Sequence, residues 1–181
     1  MYGMVNQAAK KMVIEKLGEQ TWTKIADKLK LDPNADFDVF EQYDDKVTLE
    51  TVLTISEVSG ISAENILIDF GKYWVEYAQK SEYSEILKTF GTNARVLLKS
   101  LDKLHERLQL SLTNLNAPSF EVVDESDSTL IINYYSERDL PLESFVTGLF
   151  LGIFDMHKEK GNVKQIDTLG EAKATFLVEF L

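Results

Sequence analysis

The hydrophobic rhythm of this chain changes once, and that change most constrains its fold. Up to about residue 112, apolar side chains recur every three or four positions, the period of helices buried on one face. After Pro118 the rhythm shortens to strand-like alternation, with one helix among the strands. The first helix is expected from about Tyr2 to Leu17, stopped by Gly18, and a second from about Thr21 to Leu29, before the break at Asp32-Pro33-Asn34. A third runs from Leu49 to Val58, and a fourth starts at the N-cap Ser62 and carries Ile66, Leu67, Phe70, Trp74 and Tyr77. Gly71 inside it costs about 1 kcal/mol against alanine, which implies close packing there. A short helix, Tyr83 to Phe90, precedes a long one capped by Thr92 and reaching about Leu112. Phe120 to Val123 and Thr129 to Ser136 read as a hairpin, Pro141 to Lys158 as a helix, and Val163 to Thr168 with Lys173 to Phe180 as a second hairpin around Gly170. The expected class is α+β: a helical part over about 1–112, then an antiparallel sheet with helices over about 118–181. No linker divides the 181 residues, so a single domain over 1–181 is expected.

Charge and composition remove several functions. The net charge of −11 opposes binding to a phosphate backbone, so no nucleic-acid partner is expected. There is no cysteine, hence no disulfide, thiolate metal site or cysteine nucleophile. Lys10, Lys11, Glu15 and Lys16 exclude a signal peptide at the start. The longest uncharged apolar stretch, Ser144 to Phe154, is shorter than the roughly 20 residues that cross a bilayer. A cytoplasmic protein with no membrane insertion is the expectation. No G-x-S-x-G elbow and no paired acid/base carboxylates are visible, and catalysis is not expected.

Two constellations remain. His105 lies on a leucine stripe with Leu98, Leu101 and Leu108, so its imidazole points inward and needs a partner for its polar nitrogens. A backbone carbonyl would serve, and so would a metal. No second histidine stands at metal-ligand spacing, and His157 reads as a solvated or capping residue. A site with one protein ligand fits haem, whose porphyrin supplies four others. The second constellation is Tyr134, Ser136 and Arg138, which share one face of a strand. Two hydroxyls and a guanidinium suit one or two carboxylates, although polar alternation on a half-exposed strand has the same appearance.

Taken together, the Y-x-S-x-R pattern at Tyr134, Ser136 and Arg138, His105 about thirty residues earlier, Pro118 thirteen residues after it and the opening Met1-Tyr2-Gly3 resemble the haem-nitric oxide/oxygen binding (H-NOX) family, similar to the haem domain of soluble guanylate cyclase. The resemblance covers the whole chain. It implies one non-covalent haem b per chain, buried between the helical and sheet parts. His105 would be the axial ligand, Tyr134, Ser136 and Arg138 would hold the propionates, oriented by Asp44 or Asp45, and Pro118 would press on the porphyrin. Met4, Val5, Leu101, Phe120 and Leu149 would line the pocket. On the distal side, family members that bind oxygen carry a tyrosine three residues before a glycine. Counting back from Gly148, that position is Phe145, which donates no hydrogen bond. The resemblance therefore implies a stand-alone sensor that binds nitric oxide and carbon monoxide, loosens the His105–iron bond and signals to a separate histidine kinase or cyclic-di-GMP enzyme. The alternatives are an oxygen sensor using Trp74 or Tyr2 as donor, and a haem-free interaction domain.

Overall fold

The computed structural model describes residues 1–112 and 115–181. Seven helices come first: α1 (Gly3–Leu17), α2 (Glu19–Leu29), α3 (Asp45–Ser59), α4 (Ala63–Gln79), α5 (Ser84–Phe90), α6 (Ala94–Lys99) and α7 (Leu101–Gln109). Strands β1 (Ser119–Glu125) and β2 (Thr129–Tyr135) follow, then α8 (Glu143–His157), β3 (Gly161–Ile166) and β4 (Ala174–Phe180). The four strands form one antiparallel sheet in the order β1-β2-β4-β3. The α+β class is as expected.

Local signals account for most element ends. Gly18 ends α1 at φ 90°, and Gly60 ends α3 in the left-handed region, where a side chain would be strained. Ser62 Oγ accepts from Asn65 N at 3.3 Å and opens α4. The long helix expected from Thr92 to Leu112 is two helices. Its cap is Asn93, whose Oδ1 accepts from Val96 N at 2.8 Å. It breaks at Ser100, where φ −107° and ψ 5° leave the helical region and the Ser100 N–H bonds Leu97 O, three residues back. Strand β1 runs two residues past its expected end because a bulge between Val122 and Asp124 lets Asp124 and Glu125 pair with Ile131 and Leu130.

Apolar burial is divided. One cluster joins α1–α4 through Val13, Trp22, Ile25, Ile55, Ile66 and Phe70. Another joins α6–α8 to the sheet through Leu97, Leu98, Ile132, Phe150, Ile153 and Phe176. Helices α4 and α8 connect the two halves at unusually short range. A Cβ on Gly71 would stand 2.2 Å from Phe145 O, and one on Gly148 would stand 2.0 Å from Ile68 O. Glycine is required at both positions because backbone meets backbone. This is the close packing that the mid-helix glycine implied. Among the described residues, no helix is long and apolar enough to cross a membrane.

Candidate functional site

A cavity of about 220 Å³ lies where the two halves meet, lined by residues of α1, α3, α4, α5, α7, α8, β1 and β2. Its walls are chiefly leucine, valine and aromatic side chains. Met4, Val5, Trp74, Pro118, Phe120, Tyr134, Ser136, Arg138, Phe145 and Leu149 all line it, as does His105. Leu101 does not. It starts α7, is 5% exposed and packs into the sheet-side cluster. The break at Ser100 sets α7 so that Leu104, His105 and Leu108 form its cavity wall instead.

The imidazole of His105 is held by its backbone neighbour. Nδ1 lies 2.9 Å from Pro118 O. A carbonyl only accepts, so Nδ1 carries the proton and Nε2 keeps its lone pair. Burial draws the pKa of His105 below its ordinary value, opposed by the Pro118 carbonyl and by the Asp102 charge. The ring is therefore neutral at neutral pH. Asp102 also fastens α7 to β1, accepting from Phe120 N at 2.6 Å and from Ser119 Oγ at 3.0 Å. Two residues, one turn apart on the same helix, thus tie the His105 segment to the start of the sheet through three bonds.

At the other polar edge, β2 ends at Tyr135, so strand alternation alone does not align the three clamp residues. A turn completes the set: Ser136 Oγ accepts from Arg138 N at 3.2 Å. Tyr134 is 1% exposed, and burial pushes its phenol pKa up while the Ser136 hydroxyl beside it acts in the opposite direction. Arg138 Nη1 donates to both carboxylate oxygens of Asp45, and Nη2 donates to Asn116 O at 2.9 Å. Asp45 also accepts from the Met1 ammonium at 2.5 Å. Of the two aspartates considered as partners, Asp45 orients the guanidinium; Asp44 caps α3 through Lys46 N. Partial burial would raise the Asp45 pKa, but the ammonium and the guanidinium together hold it below the usual carboxylate range.

On the α4–α8 wall, Phe145 packs against Phe70 with ring centroids 5.2 Å apart, and Trp74 stacks on Tyr77 at 5.9 Å. Tyr2, Thr48 and Tyr83 add hydroxyls to the lining. Thr48 and Tyr83 were not legible as site residues: each sits in an ordinary helical context with no spacing cue. His157 departs from expectation too. Its Nε2 is buried and has no hydrogen-bond partner among the described residues. No group of three or more metal-binding side chains occurs among the described residues.

The chemistry of this donor set fits haem: one neutral imidazole with a fixed tautomer, an apolar cleft, and a guanidinium with two hydroxyls at the edge. The sequence profile described as Haem-NO-binding matches residues 2–165. The chain belongs to that family, H-NOX. H-NOX domains are haem-binding gas-sensor domains, and the matched region is a sensor rather than a catalytic unit. Soluble guanylate cyclase gcy-35 of Caenorhabditis elegans is 29% identical over 140 residues, covering 76% of this chain and 20% of that protein. Guanylate cyclase soluble subunit beta-2 of Rattus norvegicus is 33% identical over 108 residues, covering 53% of this chain and 16% of that protein. The chain thus spans a fifth or less of these relatives. An H-NOX protein from S. oneidensis in the Fe(II)NO ligation state shares the fold at TM-score 0.86 and 15% identity, with 100% of this chain and 99% of that one covered. An oxygen-binding H-NOX domain related to soluble guanylate cyclases gives 0.82 at 17%, with 99% and 95% covered.

Proposed function

We propose that this H-NOX chain is a haem-based gas sensor that retains nitric oxide and carbon monoxide but not oxygen. One non-covalent haem b would occupy the cavity, with His105 as the protein ligand to iron and Tyr134, Ser136 and Arg138 on its propionates. The observation that carries this reading is the His105–Pro118 bond. It commits Nδ1 to a carbonyl and leaves Nε2, on a cavity-lining ring, as the lone pair for a metal. Gas selectivity would follow from the α4–α8 wall, where Phe145 offers no donor to a partly charged oxygen ligand.

Bound haem, held by His105 and by Tyr134, Ser136 and Arg138, would supply an iron that binds the gas and, with nitric oxide, would hold the imidazole more weakly. The residues of this chain turn that into a signal. Loosening at Nε2 would leave the Nδ1–Pro118 bond and the Asp102 bonds in place, so α7 and the start of β1 would shift together with His105. Pro118, whose carbonyl holds His105, would press on the porphyrin. The readout would be a separate cytoplasmic partner, a histidine kinase or a cyclic-di-GMP enzyme. That the neighbours named above include nitric oxide and oxygen complexes supports a gas as the ligand.

The test is the visible spectrum of the reduced protein under nitrogen, carbon monoxide, nitric oxide and air. A Soret band that moves with nitric oxide and carbon monoxide but not with air is expected. His105→Gly should lose haem and regain it with free imidazole. A stable shift in air favours the second reading, an oxygen sensor, for which Trp74 supplies the candidate N–H on the cavity wall and Tyr2 a hydroxyl. A chain that cannot be loaded with haem would leave only an interaction domain.

A further inference from the structure

The carboxylate clamp is held in shape from outside the cavity by one lysine of the second hairpin. Lys173 precedes β4 and is half-buried. Its backbone N–H donates to Tyr134 O at 2.8 Å, just where β4 begins to pair with β2. Its side chain reaches over the following turn, and Nζ donates to Arg138 O at 2.6 Å and to Leu140 O at 2.8 Å. One residue therefore brackets the segment from Tyr134 to Leu140 at both ends. That segment contains all three clamp residues and leads directly into α8, which carries Phe145. Lys173 itself does not line the cavity. No carboxylate pairs with its ammonium among the described residues; two main-chain carbonyls of the turn take that place.

Such an arrangement has a chemical purpose. A turn outside regular structure has few ladder bonds to fix it, and the Ser136–Arg138 contact is short-range. The guanidinium of Arg138 binds a carboxylate in a fixed fork only if its own backbone is fixed. An ammonium on two carbonyls supplies charge-assisted bonds to that backbone, roughly twice as strong as neutral ones. We infer that Lys173 is a positioning residue for the Tyr134–Ser136–Arg138 clamp, acting on haem carboxylates through the Arg138 main chain without touching them. The inference rests on the haem reading of the cavity.

The experiment compares two probes, iron protoporphyrin IX and its dimethyl ester, which keeps the iron and the ring but has no free carboxylate. Each is loaded as the ferrous carbon monoxide complex, and its loss to excess apomyoglobin is timed. The wild-type chain should keep the free acid longer than the ester, and Arg138→Ala should abolish that preference. Lys173→Met should speed loss of the free acid about ten-fold, as expected for hydrogen bonds to a charged group, and leave ester loss nearly unchanged. Lys173→Arg should restore most of the preference. Arg138→Ala with Lys173→Met should be no worse than Arg138→Ala alone, because both act on one contact. If Lys173→Met does not fold, Lys173→Gln is carried through the same comparison and must reduce the preference. A Lys173 variant that speeds loss of acid and ester equally, or neither, overturns the inference while Arg138→Ala still abolishes the preference. Retention of the preference in Arg138→Ala overturns the clamp reading itself.

Discussion

Gly148→Ala tests whether the α4–α8 contact holds the two halves of the molecule together. Two effects oppose each other. Alanine gains about 1 kcal/mol over glycine inside a helix. The new methyl carbon, however, would stand 2.0 Å from Ile68 O, 2.7 Å from its carbonyl carbon and 2.8 Å from its Cα. All three are backbone atoms, so no side chain can rotate away. An ordinary contact begins near 3.4 Å. The helices must therefore part by about 1.4 Å, the difference between 3.4 and 2.0, along a seam that also carries Gly71. Overpacking of this kind costs about 1–3 kcal/mol and sometimes more; with rigid backbone on both sides the cost falls at the upper end, about 3 kcal/mol, and leaves a net loss of about 2 kcal/mol after the propensity gain. For a chain of this size that lowers Tm by about 4–8 °C. The assay is calorimetric melting of the carbon monoxide complex, with Gly152→Ala as comparator. There the nearest atom is Lys72 Cα at 3.0 Å, and the helix can accommodate the methyl with a small shift. An unchanged or raised Tm for Gly148→Ala, or equal effects of the two substitutions, would refute the reasoning.

Other substitutions probe the ties around the cavity. Asp102→Asn replaces a charged acceptor for Phe120 N and Ser119 Oγ by a neutral one; about 1–2 kcal/mol of stability should be lost, and the iron–histidine stretching frequency of the ferrous protein should shift. Unchanged frequency would mean that Asp102 does not govern the seat of His105. Lys10→Met removes a buried ammonium that donates to Ala35 O at 2.7 Å and Asp36 Oδ1 at 2.9 Å; the urea midpoint should fall by the equivalent of about 1–3 kcal/mol, and proteolysis should then begin in the segment around Ala35. For Asp45 the sign of the pH effect is set by a folded pKa below the ordinary 3.8. Its contribution is present above the unfolded value and is lost as pH falls through the folded one. The stability gap between wild type and Asp45→Asn should therefore be constant near pH 6 and close below about pH 4 in chemical denaturation, and a constant gap would reject the pairing.

Much of this architecture was legible because periodicity and caps are local signals. Ser62, Gly18 and Gly60 mark their helix ends for reasons contained in a few neighbouring residues. The split at Ser100 was not, because the leucine stripe runs on across it; only the tertiary tie of Asp102 to β1 reveals that α7 has its own direction. Leu101 was misplaced for the same reason. His105, Pro118 and the clamp were visible as residue types in a spacing, but their bonds were not. Nothing along the chain says that Asp45 rather than Asp44 meets Arg138 from 93 residues away. Thr48, Tyr83 and Lys173 act at a distance that no short window spans, and their neighbours carry no mark of it.

The cavity between two separate hydrophobic clusters has a consequence for the life of the polypeptide. A void of about 220 Å³ in a protein interior is worth up to about 5 kcal/mol at ~24 cal/mol per Å³, which rivals the whole stability of an ordinary domain. Filling that void is then part of folding, and ligand supply and protein survival become thermodynamically linked. A ligand seated there adds its binding free energy to that of the fold, so the melting temperature rises with ligand concentration.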